Sequence, residues 1–412
     1  MYKHIIAIGS LILLSSFVIF YRYASIPHNI SFDEIEFAKL ALSLDKIPYT
    51  VYSSLFTGHS TLYFYILLIS FKILGVSNFA LRFPSALFGI INILIFYFIM
   101  NKVFKNTFFA FLLSCVLLSM HWYINFSRFS FEATFLLFLE LLSTFFLFKF
   151  LENKKIHNAL FSGITAGLAF HSYYPGRIFF ILPLFFLLFK QAKKYAFLFL
   201  LIFSLIVLPL LIYLTQHPDI RITQVSLFTN SKLTFGERVS LIGTNIKKTA
   251  LMFNLKGDMN GRHNYPGKPA LNPILGILFL GGLIIAIRNY SQFYNQYFLL
   301  YFFLSLILPI IGRTQDNPNM LRAFTAIPAV VYFIGKAYLR LWQLKTYVKK
   351  ELVVGFIMIL FIVSTFYEMR TYFVFQSRVF RNSFEVLCSL QEVIKYDTKK
   401  IPFACRVSRN LF

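Results

Sequence analysis

Runs of about twenty apolar residues recur along nearly the whole chain, and they exclude most of the folds open to a polypeptide of this length. The stretch Phe197–Leu214 carries no charge and no alternation of polarity, so it reads as a helix crossing a bilayer and not as a barrel strand. We read eleven such spans, at roughly 5–21, 83–101, 107–124, 131–151, 158–174, 178–190, 195–214, 271–287, 292–311, 322–340 and 351–367. The stretch 61–74 is apolar too, but it is short and ends in Lys72 and Gly75, which suits a re-entrant or interfacial helix. Hydrophobic residues make up 58% of the chain and charged residues 14%, against about 25% charged in soluble domains. The expected fold class is therefore an all-α polytopic membrane protein, a bundle of about 11 transmembrane helices with interfacial helices in the first outer loop. Residues 1–367 form this domain, with a first outer loop at 22–82 and a large outer loop at 215–270, and 368–412 is a short tail.

Basic residues in short loops set the expected orientation. Lys102, Lys105, Lys149, Lys154, Lys155, Lys190, Lys193, Lys194, Arg288, Arg340, Lys345, Lys349 and Lys350 fall on one side, which makes that side and the N-terminus cytoplasmic. Arg128, Arg177, Arg313 and Arg322 fall on the other side, together with both long loops and the tail. Arg22-Tyr-Ala-Ser25 offers no convincing cleavage site, so the first span reads as an uncleaved anchor. The net charge of +24 is spread over turns and loops and suits a membrane surface, with no nucleic acid as partner. None of the three cysteines forms a CxxC. Cys388 and Cys405 share the outer tail, where pairing is one option, and Cys115 lies in a span.

The acidic residues are few, 16 against 40 basic ones, and Asp33-Glu34 is the tightest outward pair. Ser31 three residues before Glu34 makes a helix capping box, which is one reading of the pair; acid–base chemistry is the other. A helix over this segment would be amphipathic and lie in the membrane interface. Arg128 and Glu132 flank the entry to the fourth span, where an ionisable residue is a functional candidate, while Glu140 deeper on that helix reads as a buried structural partner. His171-Ser-Tyr173-Tyr174-Pro-Gly-Arg177 forms a tight outer turn whose tyrosines suit the interfacial belt. The glycine- and proline-rich loop 257–269 brings Arg262 and His263. Guanidinium groups hold phosphate bidentately, so Arg128, Arg177, Arg262 and His263 are candidate phosphate ligands, with Arg322 within possible reach. No GxxxxGK[ST], HExxH or GxSxG segment supports a rival chemistry.

At these residues the chain resembles the GT-C superfamily of membrane glycosyltransferases, in the branch of protein O-mannosyltransferases and lipid A aminoarabinose transferases. The resemblance rests on Phe32-Asp33-Glu34-Ile-Glu-Phe-Ala38, on Gly58-His59-Ser60-Thr61-Leu62-Tyr63 and on Arg82-Phe-Pro-Ser-Ala-Leu-Phe-Gly89, in that order. Ser60-Thr61 stand where the family has prolines after the histidine, and Glu132 stands where it often has aspartate. The resemblance implies a GT-C-like bundle and inverting transfer of a hexosyl or pentosyl unit from a polyprenyl-phosphate donor. The acceptor would be a hydroxyl of a glycan, lipid or protein at the outer face of the plasma (inner) membrane. Asp33 would be the general base, Glu34 and Glu132 the accompanying catalytic carboxylates, and His59, Tyr63, Tyr173 and Tyr174 would contact substrate. No cofactor is expected, and with family branches differing in metal use a divalent metal stays an option. A transporter or flippase of lipid-linked saccharides is the alternative reading.

Overall fold

The computed structural model describes residues 2–407 apart from Gln191, Asn230 and Lys232. Helices dominate: α1 Tyr2–Phe20, α2 Phe32–Ser43, α3 Leu62–Leu74, α4 Asn78–Phe104, α5 Thr107–Ser119, α6 His121–Arg128, α7 Ala133–Asn153, α8 Ile156–Phe170 and α9 Ile181–Phe189 form the first half. Then follow α10 Lys193–Gln216, α11 Ile220–Val225, α12 Phe235–Met252, α13 Pro273–Arg288, α14 Phe293–Ile311, α15 Ile327–Gln343, α16 Lys350–Arg370, α17 Ser377–Ser383 and α18 Leu390–Val393. Among the described residues seven helical segments are long and apolar enough to cross a membrane, or eight if one bent pair is a single span.

The eleven expected spans all fall on helices, with corrections. The span read at 107–124 is the bent pair α5 and α6, which meet at 65°. The break has a cause: His121 opens α6, and its backbone N–H and Nδ1 both reach the buried Glu368 carboxylate. α8, α13 and the segment Tyr174–Phe189 are apolar but shorter than a full span, as is α3. The last span continues through a π-helical turn, Thr371–Gln376, to Ser383, past the boundary at 368 expected from sequence.

Burial sorts the helices by position. α7 and the segment Phe324–Thr346 are mostly buried and form the centre of the bundle, whereas α1, α10 and α16 are only 22% buried. On α10 the side chains of Phe197, Leu201, Leu205, Leu208 and Leu211 are exposed, the composition of a lipid-facing surface. Close approaches use small residues: a Cβ on Gly282 of α13 would lie 1.7 Å from the carbonyl oxygen of Phe333 on α15. Glu140 is buried in α7 and accepts from Tyr301 at 2.7 Å, the structural partnership expected for it.

The polar end is shaped by short pieces. β1 (Tyr52–Ser53) and β2 (His59–Ser60) pair antiparallel, with Tyr52 opposite Ser60. Gly58 sits at φ +75, and a Cβ there would fall 2.4 Å from the Tyr52 hydroxyl, so glycine is required to turn His59 inward. The Cys388–Cys405 disulfide closes the segment after α17. That segment returns to α2: Val386 exchanges backbone hydrogen bonds with Ile30, the Glu385 carboxylate accepts from Phe32 N–H at 3.2 Å, and Lys39 donates to Tyr396 O.

Candidate active site

α2 begins as its sequence dictates. Ser31 caps it, accepting from Glu34 N–H, while Glu34 reaches back to Ser31 N–H. Consecutive helical residues point about 100° apart, so Asp33 and Glu34 serve different surroundings. Glu34 is fully buried and takes Arg82 bidentately at 2.7 and 2.8 Å, with Ser130 N–H at 3.2 Å. Arg82 spends its other donors on Pro27 O and Asn29 O. The structure thus removes Glu34 from any reacting position: its oxygens are fully engaged in holding α2 to α4.

Asp33 instead lines a cavity of about 320 Å³. Arg262 Nη1 meets its carboxylate at 2.5 Å, and the Asp33 side chain stays 43% exposed. The loop that delivers Arg262 is built by side chain-to-backbone turns. Asp258 accepts from Asn260 N–H, Asn260 accepts from Arg262 N–H, and Asn125 holds the carbonyls of Arg262 and His263. His263 Nδ1 lies 2.9 Å from Asp258, whose carboxylate also accepts from Met320 N–H at 2.9 Å. This ties the 257–269 loop to the segment that carries Arg322, which pairs with Asp316 at 3.1 Å. Three arginines, Arg221, Arg262 and Arg322, face three aspartates, Asp33, Asp258 and Asp316, around the cavity.

Tyr173 and His263 line the same cavity, whereas Arg128, Arg177, His59, Tyr63 and Tyr174 do not. Arg128 is fully buried and donates to Val18 O, Tyr21 O and Ile26 O, with the rings of Tyr23, Tyr372 and Phe373 around it. It satisfies carbonyls at and beyond the end of α1, where a cation is favoured, and so is not a cavity phosphate ligand. Arg177 pairs with Asp219, which caps α11 and accepts from Tyr52. Burial and then the Asp219 charge push the Tyr52 hydroxyl up to about 12, so it stays a donor there. Arg177 therefore anchors α11, and it is Arg221 of α11 that enters the cavity. Tyr63 is buried with its hydroxyl 3.0 Å from Ser85, away from the cavity. His59 is buried between Glu132, 2.9 Å from Nδ1, and Thr57, 2.9 Å from Nε2, and Thr57 in turn accepts from Arg221. Tyr174 stands beside Tyr173, with the Arg221 guanidinium 6.0 Å from its ring.

Sequence reasoning missed Arg221 and the roles of Asp258 and Asp316. For Arg221 one signal was available: Asp219 is a helix N-cap in the large loop and fixes a short helix whose second residue is Arg221. Among the described residues, one group of clustered metal-ligand atoms occurs, Cys388, Glu392 and Cys405, and its sulfurs are bonded to each other.

The helical bundle beneath this cavity shares its fold with solved structures of an oligosaccharyltransferase and of ArnT. The apo oligosaccharyltransferase of Archaeoglobus fulgidus superposes with a TM-score of 0.58 at 14% identity, over 92% of this chain and 56% of that one. ArnT of Cupriavidus metallidurans, solved apo and bound to undecaprenyl phosphate, gives 0.55 at 11% identity, over 92% of this chain and 77% of that one. Residues 58–213 match the family described as dolichyl-phosphate-mannose-protein mannosyltransferase. The chain spans little more than half the length of the archaeal enzyme it matches. Comparison with curated proteins gives no match.

Proposed function

We propose that this chain transfers a sugar from a polyprenyl-phosphate donor to an acceptor hydroxyl in a single inverting displacement. The observation that carries this reading is Asp33, half-exposed at the cavity and held by Arg262, with Arg221 and Arg322 on the same walls. A hydroxyl is a poor nucleophile until a positioned base takes its proton, and Asp33 is a cavity carboxylate with room to do so. The C–O bond from the anomeric carbon to phosphate breaks as the acceptor oxygen attacks from the opposite face. The negative charge gathering on the leaving lipid phosphate is met by Arg262 and Arg322. That phosphate needs no strong acid to depart, so no second protonated carboxyl is required. The reaction as proposed uses no cofactor.

A lipid donor is supported by the undecaprenyl phosphate bound to ArnT and by the mannosyltransferase family match, whose description also names a protein acceptor. An extracytoplasmic active site at the plasma membrane is supported by the lysine-rich turns at the opposite end and by the Cys388–Cys405 disulfide, a bond that persists in oxidising compartments. The test is turnover in liposomes with radiolabelled undecaprenyl-phosphate sugars and a panel of acceptors. Wild-type protein should release free lipid phosphate, and Asp33→Asn should lose at least about a hundredfold in rate. Undiminished turnover in that variant would remove Asp33 as base; movement of intact donor across the bilayer without cleavage would point to a transporter.

A further inference from the structure

Behind Tyr173, polar atoms gather that the catalytic reading does not use. Glu132 Oε2, Tyr173 OH, Tyr174 OH and Arg221 Nε are all buried, and none has a hydrogen-bond partner. They belong to one neighbourhood. The two tyrosine rings lie 4.7 Å apart, Arg221 sits over Tyr174, and Tyr173 and Arg221 both line the cavity. Phe131, next in sequence to Glu132, lines it as well and packs edge-on against Tyr173. Leaving one such atom unpaired costs about 1–3 kcal/mol, and more for a charged group, so several together mark a place made for a ligand.

The chemistry of the set narrows that ligand. One carboxylate oxygen only accepts, one guanidinium N–H only donates, and two phenols do either. A phosphate would be repelled by Glu132 and finds better partners in Arg262 and Arg322. A cation would be repelled by Arg221. A neutral polyol with hydroxyls in several directions satisfies all of them. His59, 2.9 Å from Oε1, keeps Glu132 from turning away. We infer that Glu132, Tyr173, Tyr174 and Arg221 form a subsite for the hydroxyls of the donor's glycosyl unit, separate from the arginines that take its phosphate. This rests on the donor class proposed above, and it gives Glu132 a sugar-binding role in place of the catalytic one expected from sequence.

The experiment compares binding of undecaprenyl phosphate with binding of the same lipid carrying mannose, glucose or a pentose, using the full chain in nanodiscs. Wild-type protein should bind at least one glycosylated lipid about tenfold or more tightly than the bare phosphate. Glu132→Gln and Tyr173→Phe, which remove a charge or a single oxygen, should each erase that difference and leave affinity for the bare lipid phosphate unchanged. Equal weakening of both lipids, an unchanged preference in both variants, or no preference in wild type would overturn the subsite while leaving the lipid-phosphate reading standing. A preference that disappears with EDTA overturns it too, because the group would then hold a cation. Failure of wild type to bind any of the lipids would instead sink the donor class, and the subsite with it.

Discussion

Asp33 and Glu34 are neighbours with opposite duties, and their substitutions should separate cleanly. Glu34 is buried with a bidentate arginine, so Glu34→Ala leaves Arg82 charged and unpaired and should cost about 3–5 kcal/mol, read as a lowered thermal midpoint in detergent. Asp33 is partly exposed and its ion pair is worth at most about 1 kcal/mol, so Asp33→Asn should leave the midpoint nearly unchanged while turnover collapses. Glu36, one turn along, has its carboxyl raised above the ordinary glutamate range, first by burial and then by the Asp33 charge, against Lys39 and Arg262. The folded state therefore holds that proton to higher pH than the unfolded state does. Stability from this group is lost as pH rises from the ordinary glutamate value through the raised one. Glu36→Gln should flatten the pH dependence of the midpoint over that window. The capping box was legible from Ser31-x-x-Glu34 alone. Which of the two carboxylates faces the cavity was not, because Arg82, Ser130 and Arg262 come from distant segments.

At the scale of elements, α2 is clamped from behind by the segment that follows α17. Asn29 donates to Arg381 O and Phe384 O, Glu385 and Val386 bind Phe32 and Ile30, and Leu390 N–H is held by Asn78. The disulfide closes a loop of sequence separation 17 within this clamp. Replacing both cysteines by serine, or reducing the bond, should cost about 3 kcal/mol on loop entropy and lower turnover together with it. Wild-type activity after full reduction, confirmed by thiol counting, would show that the clamp holds without its staple. The two cysteines were visible in sequence, but their pairing depends on Leu387 N–H meeting Cys405 O across the turn. Arg128 and Arg177 illustrate a different limit. Both looked like phosphate ligands by type and side, yet one closes the end of α1 and the other anchors α11. Residue type reveals charge; only packing decides what that charge is used for.

For the whole molecule, hydropathy carried the bundle well, since each apolar stretch had to become a helix to satisfy its backbone in lipid. It could not show that 107–124 bends at His121, because the Glu368 partner lies 247 residues on. Nor could it show which helices touch. α13 and α15 pack so closely that Gly282→Val should push them apart, costing more than about 2 kcal/mol and shifting the midpoint without changing the pH profile of turnover. An equal midpoint in that variant would mean the pair separates freely.

The clamp on α2 also imposes an order in time. A ribosome releases Asn29 long before Arg381, the partner 352 residues further along that helps fix it. The candidate carboxylate Asp33 is thus synthesised early, while part of what braces its helix is made late. A nascent chain stalled before Phe384 has its membrane helices but lacks the segment that braces α2. On the proposed reading, a copy stalled before that segment should turn over lipid-linked donor more slowly than the full chain does.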